Sequence, residues 1–462
     1  MRVGLFVCAI LTATVVCREV RAGETAVSVT PFKAGAVITL EQAYDRTLAT
    51  DQTIRTAYVQ IKKAHLDFLT AYTKLLPTVN GVASRYWQSN AATGALVATG
   101  ATGGGIGTST SRVDSYNTLG VIVQQPLLDL SFFPARKLGL ASQAGARYDY
   151  RQQIRVTLIG VAQAYYNVLT AERVVEEDRL ALKLSQEQLD LSQKQAKVGL
   201  VTETDVLNAQ VVVDTAKQAL VTDINGLALD KNTLANTLNL PADFDYKVAS
   251  PPDYAVKLPI FPAVLAKAMA RREDLLSREE AIKHDVAAKN EVVAQYIPTI
   301  TSQVEGFRTN QLTGTDRYAN EWQANITLNI PFFNGGVREI ALANANYQVE
   351  QTKLSRDTVA KTVEQDVKTA WLNIKTLIET LDALRSQVMA AEKSYKDLQI
   401  QYKAGISTSV DVLVALNALN LARRTLAQET FALQVALRAI EQVSGVFQED
   451  RVNRAPLPHS IR

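Results

Sequence analysis

The chain has 462 residues, of which 47% are hydrophobic and 21% are charged, and its formal net charge is +3 at pH 7. This composition is that of a folded protein and excludes a disordered chain. A nearly balanced charge without a long basic run gives no indication of a nucleic-acid partner. Length alone suggests about three domains, although elongated repeats depart from that expectation.

The first 22 residues have the pattern of a secretory signal peptide. Residues 1–2 provide a positive charge, residues 3–16 are mostly apolar, and residues 20–22 end in a small side chain before Gly23. Such a segment is too short to span a bilayer as a helix. We therefore expect cleavage near Gly23 and export of the mature chain.

Both cysteines, Cys8 and Cys17, lie in the predicted signal peptide. The processed chain would then have no thiol, no disulfide and no thiolate metal site. Lipidation of Cys17 is an alternative, but Val16 before it is bulkier than that processing site usually accepts.

The remainder of the chain carries one series of motifs twice, at a spacing of 205 to 221 residues. A repeated order of Pro, Gly and Asp residues indicates duplication rather than shared helical composition. The matched segments are 76–79 and 297–300, 125–129 and 330–334, 164–167 and 370–373, and 197–207 and 403–413. We predict a first repeat over residues 23–240, a connector over 241–261, a second repeat over 262–446 and a C-terminal tail over 447–462.

Each repeat reads as a helix, two strands, a long helix and a return helix. The first helix covers about residues 40–75 in one copy and 262–296 in the other, and each ends before a proline. The long helix covers about residues 135–197 and 337–404, with a glycine that ends it at a left-handed turn. The alternative for these segments alone is a plain helical bundle or coiled coil.

The segment at residues 322–330 has the pattern of a membrane-spanning β-strand. Its apolar residues alternate with polar ones, which predicts a tilted strand with lipid on one side and an aqueous lumen on the other. The predicted lipid-facing residues are Trp322, Ala324, Ile326, Leu328 and Ile330. Residues 119–123 repeat the pattern less cleanly, and 78–88 and 299–308 only weakly. A half-buried edge strand of a soluble sheet is the alternative.

Aromatic residues near both ends of the strands predict two aromatic bands, as in a transmembrane barrel. Those next to the loops at residues 91–111 and 310–320 are Tyr86, Trp87, Tyr116, Phe307, Tyr318 and Trp322, and those at the opposite ends are Phe132, Phe133, Phe332 and Phe333. After residue 22 no run of about 18 apolar residues occurs, so we expect strands rather than helices to meet the lipid.

Four strands cannot close a barrel, and open sheet edges are not tolerated in hydrocarbon. Further copies of the chain would have to supply the missing strands. Three protomers of four strands would give twelve, and this is the economical solution, although other numbers stay open. The predicted fold class is an α+β membrane protein with a long α-helical barrel and a 12-stranded transmembrane β-barrel shared by three protomers.

These motifs resemble the TolC family of outer-membrane efflux proteins over nearly all of the mature chain. The most specific matches are residues 198–206 and 402–413. Residues 270–275 resemble an Arg-Pro-Asp-Leu helix start of the family, with Glu273 in place of the proline. The resemblance implies a homotrimeric outer-membrane duct that is continued by helices in the periplasm, serves an efflux pump or a type I secretion system, and is not an enzyme.

The resemblance also implies partners. The turns at Gly199 and Gly405 match the periplasmic tips where an adaptor protein (a membrane fusion protein) of an inner-membrane transporter docks. We therefore expect Gly199, Leu200, Gly405 and Ile406 to contact the adaptor, and outer-membrane lipid to surround the strands. No cofactor is expected.

A periplasmic gate is the third implication. Asp411 matches one acidic ring position of the family, while the second falls on Val414. Asp205 and Tyr402 match two members of a family latch, whose arginine position is Ser407 here. The alternative is that both aspartates merely occupy the first turn of their helices, where an acid suits the dipole.

No catalytic or metal-binding constellation is evident. The histidines His65, His284 and His459 have no metal-ligand spacing, and no phosphate-binding Gly-Lys-Ser/Thr loop occurs. Energy for transport would have to come from a partner. The alternative functions are a periplasmic adaptor or coiled-coil scaffold, which would lack paired strands with aromatic bands, and an enzyme with its site in the connector.

Overall fold

The structure is a computed structural model that describes residues 35–90, 112–241, 244–250, 258–309 and 319–455. The predicted signal peptide, the loop at 91–111, most of the loop at 310–320 with Tyr318, and His459 lie outside these ranges. The elements of the first half are β1 (Ala36–Ile38), α1 (Leu40–Thr50), α2 (Gln52–Thr73), β2 (Thr78–Asn90), β3 (Arg112–Leu128), α3 (Phe132–Lys197), α4 (Glu203–Thr237) and β4 (Tyr246–Val248). Those of the second half are α5 (Phe261–Arg271), α6 (Glu273–Ala294), β5 (Thr299–Thr309), β6 (Ala319–Asn329), α7 (Val337–Lys403), α8 (Ser409–Val443) and α9 (Glu449–Arg454).

The chain forms two compact units. The first unit contains residues 64–143 and 281–352, and the second contains 23–63, 144–280 and 353–462. Each unit draws on both sequence repeats. Among the described residues, no helix is both long enough and apolar enough to cross a membrane.

The first unit is built on a four-stranded antiparallel sheet in the order β2-β3-β5-β6. Each repeat contributes one hairpin, and β3 pairs with β5 to join them, with Thr118 opposite Thr309 and Val123 opposite Val304. Within the described residues β2 pairs only with β3 and β6 only with β5. The sheet therefore has two free edges.

The register separates the sheet into two chemically distinct faces, since directly paired residues share a face and successive residues alternate. One face, called the apolar face below, carries Val79, Gly81, Ala83, Arg85, Trp87, Asn117, Leu119, Val121, Val123, Ile300, Ser302, Val304, Gly306, Arg308, Asn320, Trp322, Ala324, Ile326 and Leu328. The opposite face, called the polar face, carries mainly Ser, Thr, Asn, Gln and Glu. Large apolar side chains of the apolar face are exposed, with Trp322 at 79%.

Two sequence expectations about the sheet need correction. β6 ends at Asn329, so Ile330 lies beyond the strand. Asn329 pairs with Thr299, the first residue of β5, and the residue before it is Pro298, which has no N–H to continue the ladder. The aromatic bands also divide between the faces: the register places Tyr86 and Phe307 on the polar face.

Phe307 has a specific role on the polar face. Its ring covers Gly120 so closely that a Cβ built on that glycine would lie 2.2 Å from Phe307 Cδ1. The glycine therefore makes room for the ring, which packs over bare backbone of the neighbouring strand.

The predicted first helix of each repeat is broken in the structure, which is a third correction. Residues 40–75 form α1 and α2 with a break at Asp51, whose ψ is 132° and whose Oδ1 accepts from the backbone N–H groups of Thr53 (2.8 Å) and Ile54 (3.0 Å). Residues 262–296 form α5 and α6 with a break at Arg272, whose ψ is 123°. At the first break, the Asp51 side chain caps the following helix, so that interrupting the helix costs little free energy. The helical pattern of apolar residues therefore continues across the break in the sequence.

The second unit has its largest core around α3. Ile38 and Tyr44 near the N-terminus, Leu158 and Tyr166 of α3, and Phe447 near the C-terminus are all buried there. Part of the predicted connector belongs to this core, because β4 pairs in parallel with β1 and the Tyr165 hydroxyl donates to Ala249 O (2.6 Å). Part of the predicted tail does too, since α9 buries Val452.

A buried ion pair explains the departure at residues 270–275. Arg155 on α3 and Glu273 at the start of α6 are each 4% exposed, and Arg155 Nη2 lies 2.8 Å from Glu273 Oε1. Arg155 also donates to the carbonyl of Phe447. The carboxylate at position 273 therefore neutralises a buried guanidinium, which a proline could not do.

Candidate functional site

The two predicted tips are built identically. Gly199 and Gly405 have φ of 77° and 75°, and a Cβ at either would meet nothing within 4 Å. Glycine is therefore needed for its left-handed backbone and not for space. The bonds Leu200 N–H to Gln195 O (3.0 Å) and Gly199 N–H to Ala196 O (3.0 Å) form a Schellman motif.

The second tip repeats this geometry, with Ile406 N–H donating to Gln401 O (2.9 Å) and Gly405 N–H to Tyr402 O (3.1 Å). Leu200 and Ile406 follow the glycines and are 73% and 78% exposed. Each turn thus presents one exposed apolar side chain where a long helix meets its return helix: Leu200 between α3 and α4, and Ile406 between α7 and α8. This arrangement suits contact with another protein.

Both predicted gate aspartates cap their helices. Asp411 Oδ2 accepts from Thr408 N–H (3.0 Å), Thr408 Oγ1 (2.6 Å) and Ser407 Oγ (3.3 Å). Asp205 Oδ2 accepts from Thr202 N–H (3.0 Å) and Thr202 Oγ1 (2.7 Å). Each threonine hydroxyl in turn accepts from the aspartate's own N–H, which completes a capping box.

Capping also affects the charge of Asp411. The hydroxyl of Thr408 and then its backbone N–H bind the ionised carboxylate and lower the pKa of Asp411. Asp411 is exposed and ionised at neutral pH, so a capping role and a ring of negative charge are compatible.

Tyr402, the third predicted gate residue, is only 3% exposed and packs with Tyr395, Val412 and Leu416. Its hydroxyl lies 3.5 Å from Ser192 Oγ on α3. Ser407, at the family's arginine position, binds Asp411 in its own turn. Tyr402 is therefore part of the hydrophobic core that packs α3, α7 and α8 together near the tip.

An acidic pair that sequence reasoning missed lies further along the same helices. Asp178 on α3 and Asp223 on α4 both face Arg424 on α8, at 3.2 Å and 2.6 Å. Burial, and next the neighbouring Asp223 carboxyl, raise the pKa of Asp178 to about 7. The three residues are far apart in sequence, so no local motif could have indicated them.

The described residues contain no group of His, Cys, Asp and Glu side chains able to hold a metal ion. His65 Nδ1 instead lies 3.2 Å from Gln143 Nε2, and His284 Nδ1 lies 2.9 Å from Asp285 Oδ1.

A model of the outer membrane efflux protein family matches residues 43–240 and 264–446. The chain belongs to this family. The two matched ranges correspond to the two repeats seen in the sequence, and the resemblance to the TolC family is confirmed.

Individual relatives are distant but match over most of their length. The outer membrane protein TolC of Salmonella enteritidis is 25% identical over 341 residues, which are 70% of this chain and 68% of that protein. The alkaline protease secretion protein AprF of Pseudomonas aeruginosa is 26% identical over 360 residues, which are 73% and 71% of the two chains. The crystal structure of the Campylobacter jejuni CmeC outer membrane channel has a TM-score of 0.74 at 14% identity and covers 95% of this chain and 96% of that one.

Several predictions of the sequence are thereby confirmed. This outer membrane efflux protein combines long helices with a four-stranded sheet in the fold of the outer membrane channels, is located in the outer membrane with its long helices in the periplasm, and acts as a duct for efflux or secretion. The description of the family is one of efflux, which is a transport function.

Proposed function

We propose that three copies of the chain form a passive duct, in which their twelve strands close a barrel in the outer membrane and their helices continue it through the periplasm. The observation that carries this proposal is the four-stranded sheet with two unpaired edges, one apolar face and one polar face. Backbone groups at a sheet edge have no water to bind in hydrocarbon, so each edge needs a strand of another copy. The polar face would line the lumen, and the apolar face would meet lipid.

We propose that lipid contacts Trp322, Ala324, Ile326 and Leu328, which share the apolar face of β6. Of the lipid-facing residues predicted from the sequence, Ile330 is left out because it lies beyond the strand. Edge strand β6 buries neither of its faces within one chain, since every residue from Glu321 to Ile330 is exposed. Stability of the strands would therefore come from lipid on one side and closure of the barrel on the other.

For the periplasmic end we propose that Gly199, Leu200, Gly405 and Ile406 contact an adaptor protein of an inner-membrane transporter. The exposed Leu200 and Ile406 support this proposal. Asp411, Asp205 and Tyr402 are proposed to close the duct before the adaptor binds. The relative AprF is named an alkaline protease secretion protein, so a secreted polypeptide is one cargo that the proposed duct could carry.

Engineered disulfides test the strand arrangement, because residues 23–462 contain no cysteine. Asn80→Cys on edge strand β2, combined with single cysteines at Gln323, Asn325 or Thr327 on edge strand β6, should yield a covalent trimer on oxidation for at least one pairing. Ile122→Cys on β3, which is an inner strand, replaces Asn80→Cys in the matched control and should leave monomers on denaturing gels. Absence of any crosslinked trimer, or crosslinking through Ile122→Cys, would refute the proposed closure.

A further inference from the structure

The apolar face carries its charge in one place. Its two charged side chains among the described residues are Arg85 on β2 and Arg308 on β5, both exposed. The carboxylates Glu305 and Glu321 belong to the polar face. Within the described strands, the charged side chains of the apolar face are therefore both arginines, although lipid surrounds this face in the proposed assembly.

Both arginines sit at the loop-side boundary of the apolar band. Toward the helices, β2 presents Val79, Gly81 and Ala83 on this face, and the next position is Arg85. On the other strands the same step replaces apolar residues by polar ones: Asn117 follows Leu119, Arg308 follows Gly306, and Asn320 follows Trp322. With the helices in the periplasm, this boundary lies at the headgroup level of the outer leaflet.

Arg85 and Arg308 also line one depression. It has a volume of about 610 Å³ and is bordered in addition by Ala83, Ser84, Asn117, Thr118 and Leu119. Cζ of Arg85 lies 5.5 Å from the centre of the Trp87 ring, which is itself 69% exposed. Two guanidinium groups, the amide of Asn117 and a flanking indole are groups that proteins use to hold a phosphate beside an apolar surface.

We propose that this depression binds the phosphorylated headgroup of an outer-leaflet lipid, with Arg85 and Arg308 on the phosphate and the acyl chains along Ala83 and Leu119. The inference rests on the proposed orientation of the sheet in the membrane. An arginine at a lipid-facing position costs free energy that falls toward the interface, and an anionic headgroup offsets the rest. Arginine suits this role better than lysine because its planar fork binds two phosphate oxygens at once.

Binding of lipid A that bears two phosphates tests the site, with purified full-length protein in detergent and bound lipid counted by native mass spectrometry. We expect the wild-type protein to bind this lipid at least about ten-fold more tightly than the same lipid after phosphatase treatment. Arg85→Gln with Arg308→Gln should abolish this preference, and Arg85→Lys with Arg308→Lys should retain part of it. The matched control is Arg179→Gln with Arg278→Gln, which removes the same charge from exposed helix positions and should bind as wild type.

Three outcomes would overturn the inference. These are equal binding of the two lipids by wild type, unchanged preference in the double Gln variant, and displacement of the lipid by millimolar inorganic phosphate, which would indicate a site for the free ion. The comparison of the two lipids on the wild-type protein needs no variant, so it tests the inference even if a substitution prevents assembly. Conductance of the double Gln variant in a planar bilayer should equal that of wild type, so loss of lipid binding with intact conductance separates this site from the duct function.

Discussion

At the scale of single residues, Asp411 joins two roles that sequence alone could not separate. It is the third residue of α8, its carboxylate binds the N-cap Thr408, and it stays ionised and exposed. The same side chain can therefore stabilise the helix start and contribute to a ring of charge at the proposed gate. Substitution at Thr408 distinguishes these roles, because Thr408 carries the cap without the charge.

We expect Asp411→Asn to raise the closed-state conductance of the purified protein in a planar bilayer several-fold, since the amide removes the charge while its oxygen can still cap. Thr408→Val, the matched variant, should cost about 1 kcal/mol of helix stability through loss of the cap. It should leave closed-state conductance near the wild-type value. If Thr408→Val opens the channel as much as Asp411→Asn does, or if Asp411→Asn changes nothing, the charged-ring assignment is wrong.

At the scale of elements, Asp178, Asp223 and Arg424 hold three helices together through one guanidinium and two carboxylates. A single arginine does not compensate the buried Asp178 together with the half-buried Asp223, and burial therefore keeps a proton on Asp178 up to a pKa of about 7. This proton is bound in the folded state and released in the unfolded state, where the carboxyl has an ordinary pKa near 3.8. The free energy of unfolding therefore falls as pH rises from about 4 to about 7.

The thermal midpoint of the helical circular dichroism signal should consequently be higher at pH 5 than at pH 8. Asp178→Asn keeps the shape of the side chain without its proton equilibrium, and it should reduce this difference by several degrees. Asp397→Asn, an exposed acid of α7, serves as the control and should retain the wild-type difference. An Asp178→Asn protein with the full pH dependence would show that another group is responsible.

At the scale of the whole molecule, the proposed adaptor contact depends on two turns that lie in different repeats. Leu200 and Ile406 are exposed at equivalent positions after Gly199 and Gly405. Duplication of the tip doubles the number of apolar contacts in each chain. Removing both side chains should therefore affect assembly with a partner more strongly than folding.

For Leu200→Ser with Ile406→Ser we expect export in cells to fall about ten-fold, because two apolar interface contacts are lost. Trimers should still form, as judged by their mobility on unheated gels. Ile260→Ser, which changes an equally exposed apolar residue in the predicted connector, should export as wild type. A photo-crosslinker at position 200 should join wild-type protein to the adaptor. Export at the wild-type level by the double variant would contradict the tip assignment.

The sequence by itself determined the duplicated order of elements, the left-handed glycines at 199 and 405, and the alternation of β6, because these depend on local backbone geometry and on periods of two and 3.6 residues. It missed the breaks at Asp51 and Arg272, where a capping side chain or an extended residue interrupts a helix without disturbing its periodicity. Only the tertiary structure decided the pairing of β3 with β5, the partner of Glu273 and the cluster of Asp178, Asp223 and Arg424. Those features join residues from both repeats, and the physical reason is that charge pairing and strand register depend on distances between segments that no local pattern encodes.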